Sequence, residues 1–348
     1  MALEFRKDGD QLVWVRNPFT RAITYFTHVH LKRSGFIRRA QEAALQASAP
    51  ESPTRAEEAR RHELEQARSL CVFCPGNEHL TMSEVMRVHP GEVFHGAASD
   101  GWLIRAFHNI VPRLPECCTG GRNESYVVVE DPRHFADDAR GHEDVMYTAM
   151  LPREQFRALL TAAVEVARRA YRNPAVAAVL IRKNQGRESG ASQPHVHCQV
   201  IGSDVPFGVV DVEAATTAAE PAIWNEIIQF AEREGFLLEC RDGWVSYFCP
   251  FGTFPRSYEV VCPGFRGCLT DLPIAQLHVF ADLLHNALQI LGPLALDYEI
   301  HDGPGVPLHV HVNARHYPYS NIGGTLNLPS TLLGVEAARE QFRPPPRR

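Results

Sequence analysis

Short apolar runs separated by turn residues make up most of the chain, and two longer amphipathic segments lie between them. The runs at 12–15 and 23–26 flank Asn17-Pro18-Phe19, which is typical turn chemistry, so an opening β-hairpin is predicted. The remaining β-rich runs predict further strands at 102–111, 125–130, 176–182, 195–201, 244–248, 258–261, 296–300 and 308–313.

The two amphipathic segments predict helices at about 152–171 and 273–291, each beginning at a proline. In both halves of the chain a helix, a strand, a loop and a strand with the pattern His-x-His follow one another. This repeated order indicates an internal duplication. The Ala-, Glu- and Arg-rich segment at 37–70 predicts two polar helical pieces or a partly mobile insertion.

Composition then narrows the functional classes. The 348 residues include 35 Lys+Arg and 41 Asp+Glu, a net charge of −6, so nucleic acid is not an expected partner. No apolar run reaches the roughly 18 residues of a membrane span, and no signal core follows the first residues, so we expect a cytoplasmic protein without a membrane partner. The nine scattered cysteines do not suggest a disulfide framework.

The first His-x-His strand carries the strongest chemical signal. Because side chains alternate along a strand, His195, His197 and Gln199 are expected on one face. The Gly-rich loop at 184–194 precedes them, and its backbone N–H groups together with Ser192 could hold phosphoryl oxygens. From His-x-His alone, a half-buried strand with hydrated histidines is the alternative interpretation.

A second pair of the same spacing provides a comparison. His28 and His30 lack both the Gly/Ser loop before them and the glutamine after them. We therefore assign that pair to a structural role, and we assign a functional role to the segment from Asn184 to Gln199, where all the elements occur together.

The segment Asn184-x-Gly186-x3-Gly190-Ala191-Ser192-x-Pro194-His195-x-His197-x-Gln199 resembles the active-site signature of the galactose-1-phosphate uridylyltransferase family. This family belongs to the histidine-triad superfamily and has ADP-glucose and dinucleoside-tetraphosphate phosphorylases among its relatives. Three other segments resemble family motifs in the expected order: Asn17-Pro18-Phe19-Thr20, Cys71-Val72-Phe73-Cys74-Pro75-Gly76-Asn77-Glu78 and Glu130-Asp131-Pro132-Arg133-His134.

The resemblance implies a nucleotidylyltransferase that works through a covalent nucleotidyl-histidine on His197. Neutral imidazole is available near neutral pH and attacks phosphorus well. Gln199 and Ser192 would then donate hydrogen bonds to the transferred group. The resemblance further implies substrate contacts for three residues: Asn184, Gly190 and Asn109.

Nucleotide sugars and sugar phosphates are the implied partners, most simply UDP-hexose plus hexose 1-phosphate. Phosphorolysis or hydrolysis of an ADP-sugar or a dinucleoside polyphosphate is the alternative. A zinc-stabilised nucleotide-binding protein without turnover is a rival from a different class. The tail at 319–326 has no clear counterpart of the family's hexose-binding segment.

The resemblance also implies metal ions. Four residues match the ligands of the family's structural Zn²⁺: Cys71, Cys74, His134 and His195. For the Cys-x-x-Cys spacing alone, a turn with two buried thiols is the alternative. A second Zn²⁺ or Fe²⁺ found in some members would be held by His301, His309, His311 and a glutamate, for which Glu213 is the nearest candidate. The alternative is that these histidines only pack in the second repeat.

The implied fold class is α+β, with two histidine-triad-like halves that each contain an antiparallel sheet flanked by helices. We place the first half, with zinc and the active site, at 1–204, and the second half at 205–330. A flexible tail is expected at 331–348. The family resemblance suggests a homodimer.

Overall fold

We describe the protein from a computed structural model, which covers residues 3–21, 23–26, 53–97, 100–112, 114, 116–252, 254, 257–315, 320–322 and 328–331. Three predictions from the sequence lie wholly or largely outside these residues. They concern the His28/His30 pair, the first part of the 37–70 segment, and the tail beyond 331.

Strands dominate the described fold. In chain order they are β1 Phe5–Asp8, β2 Gln11–Arg16, β3 Ile23–Phe26, β4 Glu84–Val88, β5 Ile104–His108, β6 Ser125–Val129, β7 Ala178–Gln185, β8 His197–Ser203, β9 Leu237–Arg241, β10 Trp244–Phe248, β11 Ser257–Cys262, β12 Leu296–His301, β13 Leu308–Ala314, β14 Ser320–Ile322 and β15 Leu328–Thr331. Ten of them form an antiparallel sheet in the order β4-β5-β6-β8-β7-β12-β13-β11-β10-β9.

The order of this sheet is the same when it is read from either edge. From one edge it runs through three consecutive strands, then β8 and β7, and from the other through three consecutive strands, then β13 and β12. The two halves meet where β7 pairs with β12, from Leu296↔Gln185 to Glu299↔Arg182. The predicted α+β class with antiparallel sheets is confirmed, and the sheets of the two halves are joined into one.

Helices flank the large sheet. They are α1 Pro53–Leu70, α2 Pro90–Val93, α3 Arg153–Tyr171, α4 Gly208–Ala219, α5 Ile223–Arg233 and α6 Ile274–Leu291. The apolar stripe of α3, which includes Phe156, Leu159 and Leu160, is fully buried between the sheet and α6. None of the helices within the described ranges is both long and apolar enough to cross a membrane.

The small sheet has the order β1-β2-β3-β15-β14 and contains the predicted hairpin. Trp14 pairs with Tyr25 across it. At the turn, the Asn17 side-chain oxygen accepts hydrogen bonds from the N–H groups of Phe19 and Thr20 at 2.8 and 2.9 Å. The Asn-Pro turn chemistry therefore forms as the sequence predicts.

Successive side chains of β8 lie on opposite faces of the sheet. Cys198 and Val200 belong to the main hydrophobic core with α3, while His197 and Gln199 alternate with them and lie on the other face of the sheet. On that face a smaller apolar cluster surrounds the strand ends, consisting of Cys71, Phe73, Cys74, Trp102, Phe107, Val127 and Val129. His197 and Gln199 are each 7% exposed, so the strand is buried on both faces and is not half-hydrated.

Candidate active site and metal clusters

His197 begins β8, and its ring is held in one orientation. Its Nδ1 lies 2.8 Å from the backbone oxygen of His195. Because a carbonyl only accepts hydrogen bonds, Nδ1 carries the ring proton and Nε2 has the lone pair. The Phe73 ring packs edge-on against the imidazole at 5.3 Å. The hydrogen bond and the ring contact together fix the orientation of the imidazole.

Two polar side chains adjoin His197 on the same face of the sheet. Gln199 follows it on β8 and is paired with Arg182 of β7, so both side chains project from this face. Among the residues that the structure describes, the Gln199 Oε1 and Arg182 Nε atoms are buried without a hydrogen-bond partner. Unsatisfied buried polar atoms are costly, and here they point to a polar ligand.

Arg182 is a residue that the sequence interpretation missed. Side chains alternate along β7, so Asn184 and Arg182, two residues earlier, lie on the same face of the sheet as His197. One guanidinium nitrogen, Nη2, bonds the side-chain oxygen of Asn184. The strand period could have identified Arg182, but its significance depends on the pairing with Gln199.

The Gly-rich loop is closed by its own hydrogen bonds. The N–H groups of Ser189, Gly190 and Ala191 donate to carbonyls within the loop, so the Gly190 N–H is not available to a phosphate. Gly186 and Gly190 have φ values of +78° and +85°, which glycine adopts without strain. Ser192 is exposed at the end of the loop, and its predicted contact with substrate stays a prediction.

Two of the predicted substrate residues have structural roles in the described fold. The Asn184 side-chain nitrogen donates to the Ser189 carbonyl, which holds the loop against β7. The Asn109 side-chain oxygen accepts the Val111 N–H in a turn. Asn109 also bonds Ser125, four residues along β6 from the pair Val129↔His197, or roughly 13 Å away. The structure therefore does not bring Asn109 to His197.

The four predicted zinc ligands converge where β6 ends and β8 begins. Cys71, Cys74, His134 and His195 are buried, with their ligand atoms all within 4.8 Å of one another. The sulfur-to-Nδ1 distances are 3.3 Å for Cys74–His134, 3.5 Å for Cys74–His195 and 3.6 Å for Cys71–His195. Ligands at tetrahedral Zn²⁺ distances would be about 3.6 Å apart, so this donor set fits the ion.

The surroundings of this cluster also suit a metal. The His195 Nε2–H donates to the Asp131 carbonyl at 2.8 Å, which leaves Nδ1 unprotonated and directed at the two sulfurs. A hydrogen bond from the Cys74 thiol, opposed by burial, lowers the pKa of Cys71 far below the ordinary thiol value. A thiolate is the form of cysteine that binds metal.

A second cluster joins α4 to the β12–β13 pair and includes the predicted Glu213. Glu213 Oε2 lies 2.9 Å from His301 Nδ1 and 3.5 Å from His309 Nε2, and Glu213 Oε1 lies 3.4 Å from His311 Nε2. The two Nε2 atoms of His309 and His311 are 3.1 Å apart. Tetrahedral ligation at about 2.1 Å would separate such atoms by about 3.4 Å, so a divalent ion fits here as well.

The second cluster has its own supporting residues. His309 Nδ1 donates to the Pro307 carbonyl at 2.7 Å, which fixes its tautomer. His311 Nδ1 lies 3.1 Å from Glu259, a buried carboxylate on β11 that the sequence interpretation missed. Burial alone would lower the pKa of His311, but Glu259 and Glu213 outweigh it and raise the pKa to about 10. A carboxylate behind a ligating histidine is typical of metal sites.

Comparisons with known proteins agree with this architecture. A family described as a domain of unknown function (DUF4921) matches residues 115–294. No curated protein matches the sequence. Among solved structures, an ADP-glucose phosphorylase from Arabidopsis thaliana with bound ADP-glucose is 17% identical with a TM-score of 0.65, covering 98% of this chain and 99% of that one.

Two further structures share the fold over a shorter part of this chain. A GalT-like protein from Arabidopsis thaliana is 19% identical with a TM-score of 0.61, covering 78% of this chain and 91% of that one. A uridylyltransferase is 21% identical with a TM-score of 0.57, covering 74% and 92%. The fold expected from the sequence resemblance is confirmed, and residues 115–294 are more than half of the 348. The chain therefore belongs to the DUF4921 family and has the fold of these solved structures.

Proposed function

We propose that the protein transfers a nucleotidyl group from a nucleotide sugar or a related nucleoside diphosphate compound to a phosphate acceptor through a covalent adduct on His197. One observation carries this proposal: the His197 imidazole donates from Nδ1 to the His195 carbonyl and so presents Nε2 beside Gln199 and Arg182. A purely structural histidine would not need two polar neighbours with unsatisfied buried atoms.

The reaction would proceed in two displacements at phosphorus. In the first, His197 Nε2 attacks the α-phosphorus of the donor, and the bond to the bridging oxygen breaks as the sugar phosphate leaves. In the second, an oxygen of the acceptor phosphate attacks the same phosphorus and the P–N bond breaks. Arg182 and Gln199 would stabilise the charge on the non-bridging oxygens, with Ser192 as a third donor.

Metal ions would act in the scaffold of this site. Cys71, Cys74, His134 and His195 would hold Zn²⁺, whose chemistry here is to cross-link the four side chains. His195 would then be fixed at the start of β8, and its carbonyl is the acceptor for the His197 ring. The cluster of Glu213, His301, His309 and His311 would hold a second Zn²⁺ or Fe²⁺ in the second half.

The acceptor distinguishes two versions of this function. With a hexose 1-phosphate the protein would be a uridylyltransferase-like enzyme, using UDP-hexose as donor. With inorganic phosphate it would be a phosphorylase. The full-length likeness to the ADP-glucose phosphorylase, covering 98% of this chain against 74% for the uridylyltransferase, favours including ADP-glucose and phosphate as the second candidate pair.

The test is to trap the adduct. The protein is incubated separately with UDP-glucose, ADP-glucose and diadenosine tetraphosphate carrying ³²P at the α-phosphate, and acid-labile, base-stable label on the protein is measured. We expect label from one donor, and its discharge by one acceptor class. His197→Gly should abolish labelling and retain zinc, whereas Cys74→Ala should lose zinc and lower the melting temperature.

Two results would contradict this proposal. Undiminished labelling of His197→Gly would place the nucleophile elsewhere. Absence of label from every donor, with nucleotide binding retained, would instead favour the zinc-stabilised binding protein without turnover.

A further inference from the structure

A buried ion pair lies directly beneath the start of β8. Lys183 on β7 and Glu130 just after β6 are 1% and 0% exposed, and the Lys183 Nζ is 2.7 Å from Glu130 Oε1. The other Glu130 oxygen accepts the Thr148 hydroxyl at 2.7 Å. Lys183 also donates from Nζ to the backbone oxygen of His197 at 2.9 Å. The pair therefore reaches the backbone of the proposed nucleophile from the helix side of the sheet.

The position of this contact in the sheet is informative. The residue pairs between β7 and β8 end at Arg182↔Gln199, where the strands separate to form the Gly-rich loop. Beyond that point the His197 carbonyl accepts a hydrogen bond from the Lys183 side chain. The Lys183 ammonium group thus bonds the start of β8 at the point where backbone pairing between β7 and β8 ends.

The backbone of Glu130 also hydrogen-bonds to the residue before β8 and to helix α3. Its N–H donates to the Val196 carbonyl at 3.2 Å, and its carbonyl accepts the Gln155 side chain of α3 at 2.8 Å. The carbonyls of Val196 and His197 are therefore held by the Glu130 backbone N–H and by the Lys183 ammonium group, respectively. The His197 ring depends on that segment, because Nδ1 donates to the His195 carbonyl.

Stability alone is a poor explanation for the pair. Removing two charges from water is costly, and well-packed apolar residues in their place are often neutral or stabilising. We infer that Lys183, held by Glu130, is a positioning residue that sets the His197 imidazole in its attacking orientation. This inference rests on the proposed function for the role of His197, and the experiment below separates the two.

The decisive variant removes both charges at once. Lys183→Met alone leaves Glu130 buried and unpaired, which would lower stability for that reason only. Lys183→Met combined with Glu130→Met removes the unpaired charge and keeps the volume. If the pair were merely structural, the double variant would recover the wild-type rate of adduct formation. We expect it instead to form the His197 adduct about 10²-fold more slowly in a single turnover, with unchanged nucleotide affinity and zinc content.

Two controls and a second measurement complete the design. Asp282→Asn disrupts a partly buried ion pair with Arg157, between α3 and α6, and should leave the adduct rate unchanged. Lys183→Arg retains a donor and should recover most of the rate. In protein with ¹⁵N-labelled histidine, the Nδ1–H resonance of His197, assigned with His197→Gly, should exchange rapidly in the double variant and slowly in the wild type.

These measurements test the positioning role of Lys183 separately from the proposed nucleotidyl transfer. A wild-type adduct rate, or a slowly exchanging Nδ1–H, in the double variant would overturn the positioning role. If the wild type forms no adduct with any donor, the proposed function fails, while the exchange of the Nδ1–H still shows whether Lys183 orients the ring.

Discussion

At the scale of single residues, backbone carbonyls fix which ring nitrogen carries the proton in three histidines. His195 donates from Nε2 to Asp131, so its Nδ1 faces the two cysteines. His197 and His309 each donate from Nδ1 to the carbonyl two residues earlier, so their Nε2 atoms have the lone pairs. The same kind of bond thus directs a ring nitrogen of His195 and of His309 toward the two metal-type clusters, and it sets the tautomer of His197, the nucleophile that we propose.

Arg182 gives a prediction at this scale. Its buried Nε has no partner among the described residues and lies beside Gln199, so we expect the guanidinium to bind a phosphate oxygen of the donor. Arg182→Gln should weaken donor affinity by about 10- to 100-fold, since a hydrogen bond to a charged group contributes about 1.5–3 kcal/mol. Titration calorimetry with nucleoside diphosphate, nucleoside monophosphate and nucleoside measures this effect.

The ligand series makes the Arg182 prediction specific. The loss should be large for the phosphorylated ligands and absent for the nucleoside. Arg87→Gln, which removes an exposed arginine paired with Glu84, serves as the matched control and should bind like the wild type. Equal losses for nucleoside and nucleotide would mean that Arg182 supports the fold of the site and does not contact phosphate.

At the scale of elements, the packing of α3 against α6 contains an unusual histidine. His285 on α6 is 1% exposed and stacks on Phe156 of α3, with 4.9 Å between ring centroids. Burial, together with the nearby Arg153, lowers the pKa of His285 to about 4. Protonating this ring would place an unpaired charge between the two helices.

The sign of the resulting pH dependence follows from linkage. The unfolded chain takes up a proton on His285 near pH 6.5, while the folded protein does so only near pH 4. The stability contributed by the neutral ring is complete above pH 6.5 and is lost as the pH falls toward 4, by about 3 kcal/mol. In His285→Gln, the fall in the free energy of unfolding over that interval should be smaller by this amount, as measured with urea at each pH. Parallel pH profiles for the two proteins would exclude His285 as the cause.

The elements also show where sequence reasoning succeeds. The helix predicted at 152–171 is α3, and that predicted at 273–291 is α6, because each combines a starting proline with a continuous apolar stripe. The strands β4 and β9 and the helices α4 and α5 were not predicted. β4 and β9 are short edge strands with charged residues, so neither a clean alternation nor an apolar run marks them.

In the candidate site, too, some residues can be predicted from the sequence and others cannot. The histidines, cysteines and Gln199 could be identified because they occur in contiguous motifs with fixed spacing. Glu259 could not, since its role depends on the register that places it opposite His311 on β13. Lys183 was missed because a lone lysine in a strand predicts solvent exposure, and only the tertiary structure reveals that Glu130 pairs with it in the core.

At the scale of the whole molecule, two halves of similar topology share one sheet and one helix layer. We propose that the two halves, divided near residue 204, arose by internal duplication. We also propose that they do not unfold separately. The seam supports this, because β7 pairs with β12 and Arg157 of α3 makes two 2.7 Å hydrogen bonds to Asp282 of α6. Arg241 of β9 approaches the same carboxylate at 3.2 Å.

Hydrogen exchange resolved by peptide tests this coupling in the metal-loaded protein. The slowest amides of β6 and β8 in the first half and of β11 and β13 in the second should report one common free energy of opening. Asp282→Asn should lower that value by about 1–3 kcal/mol in both halves equally, a range that allows for the partial exposure of Arg157. A decrease confined to β11 and β13 would mean that the second half opens alone. The two halves would then be independent folding units that pair only through β7 and β12.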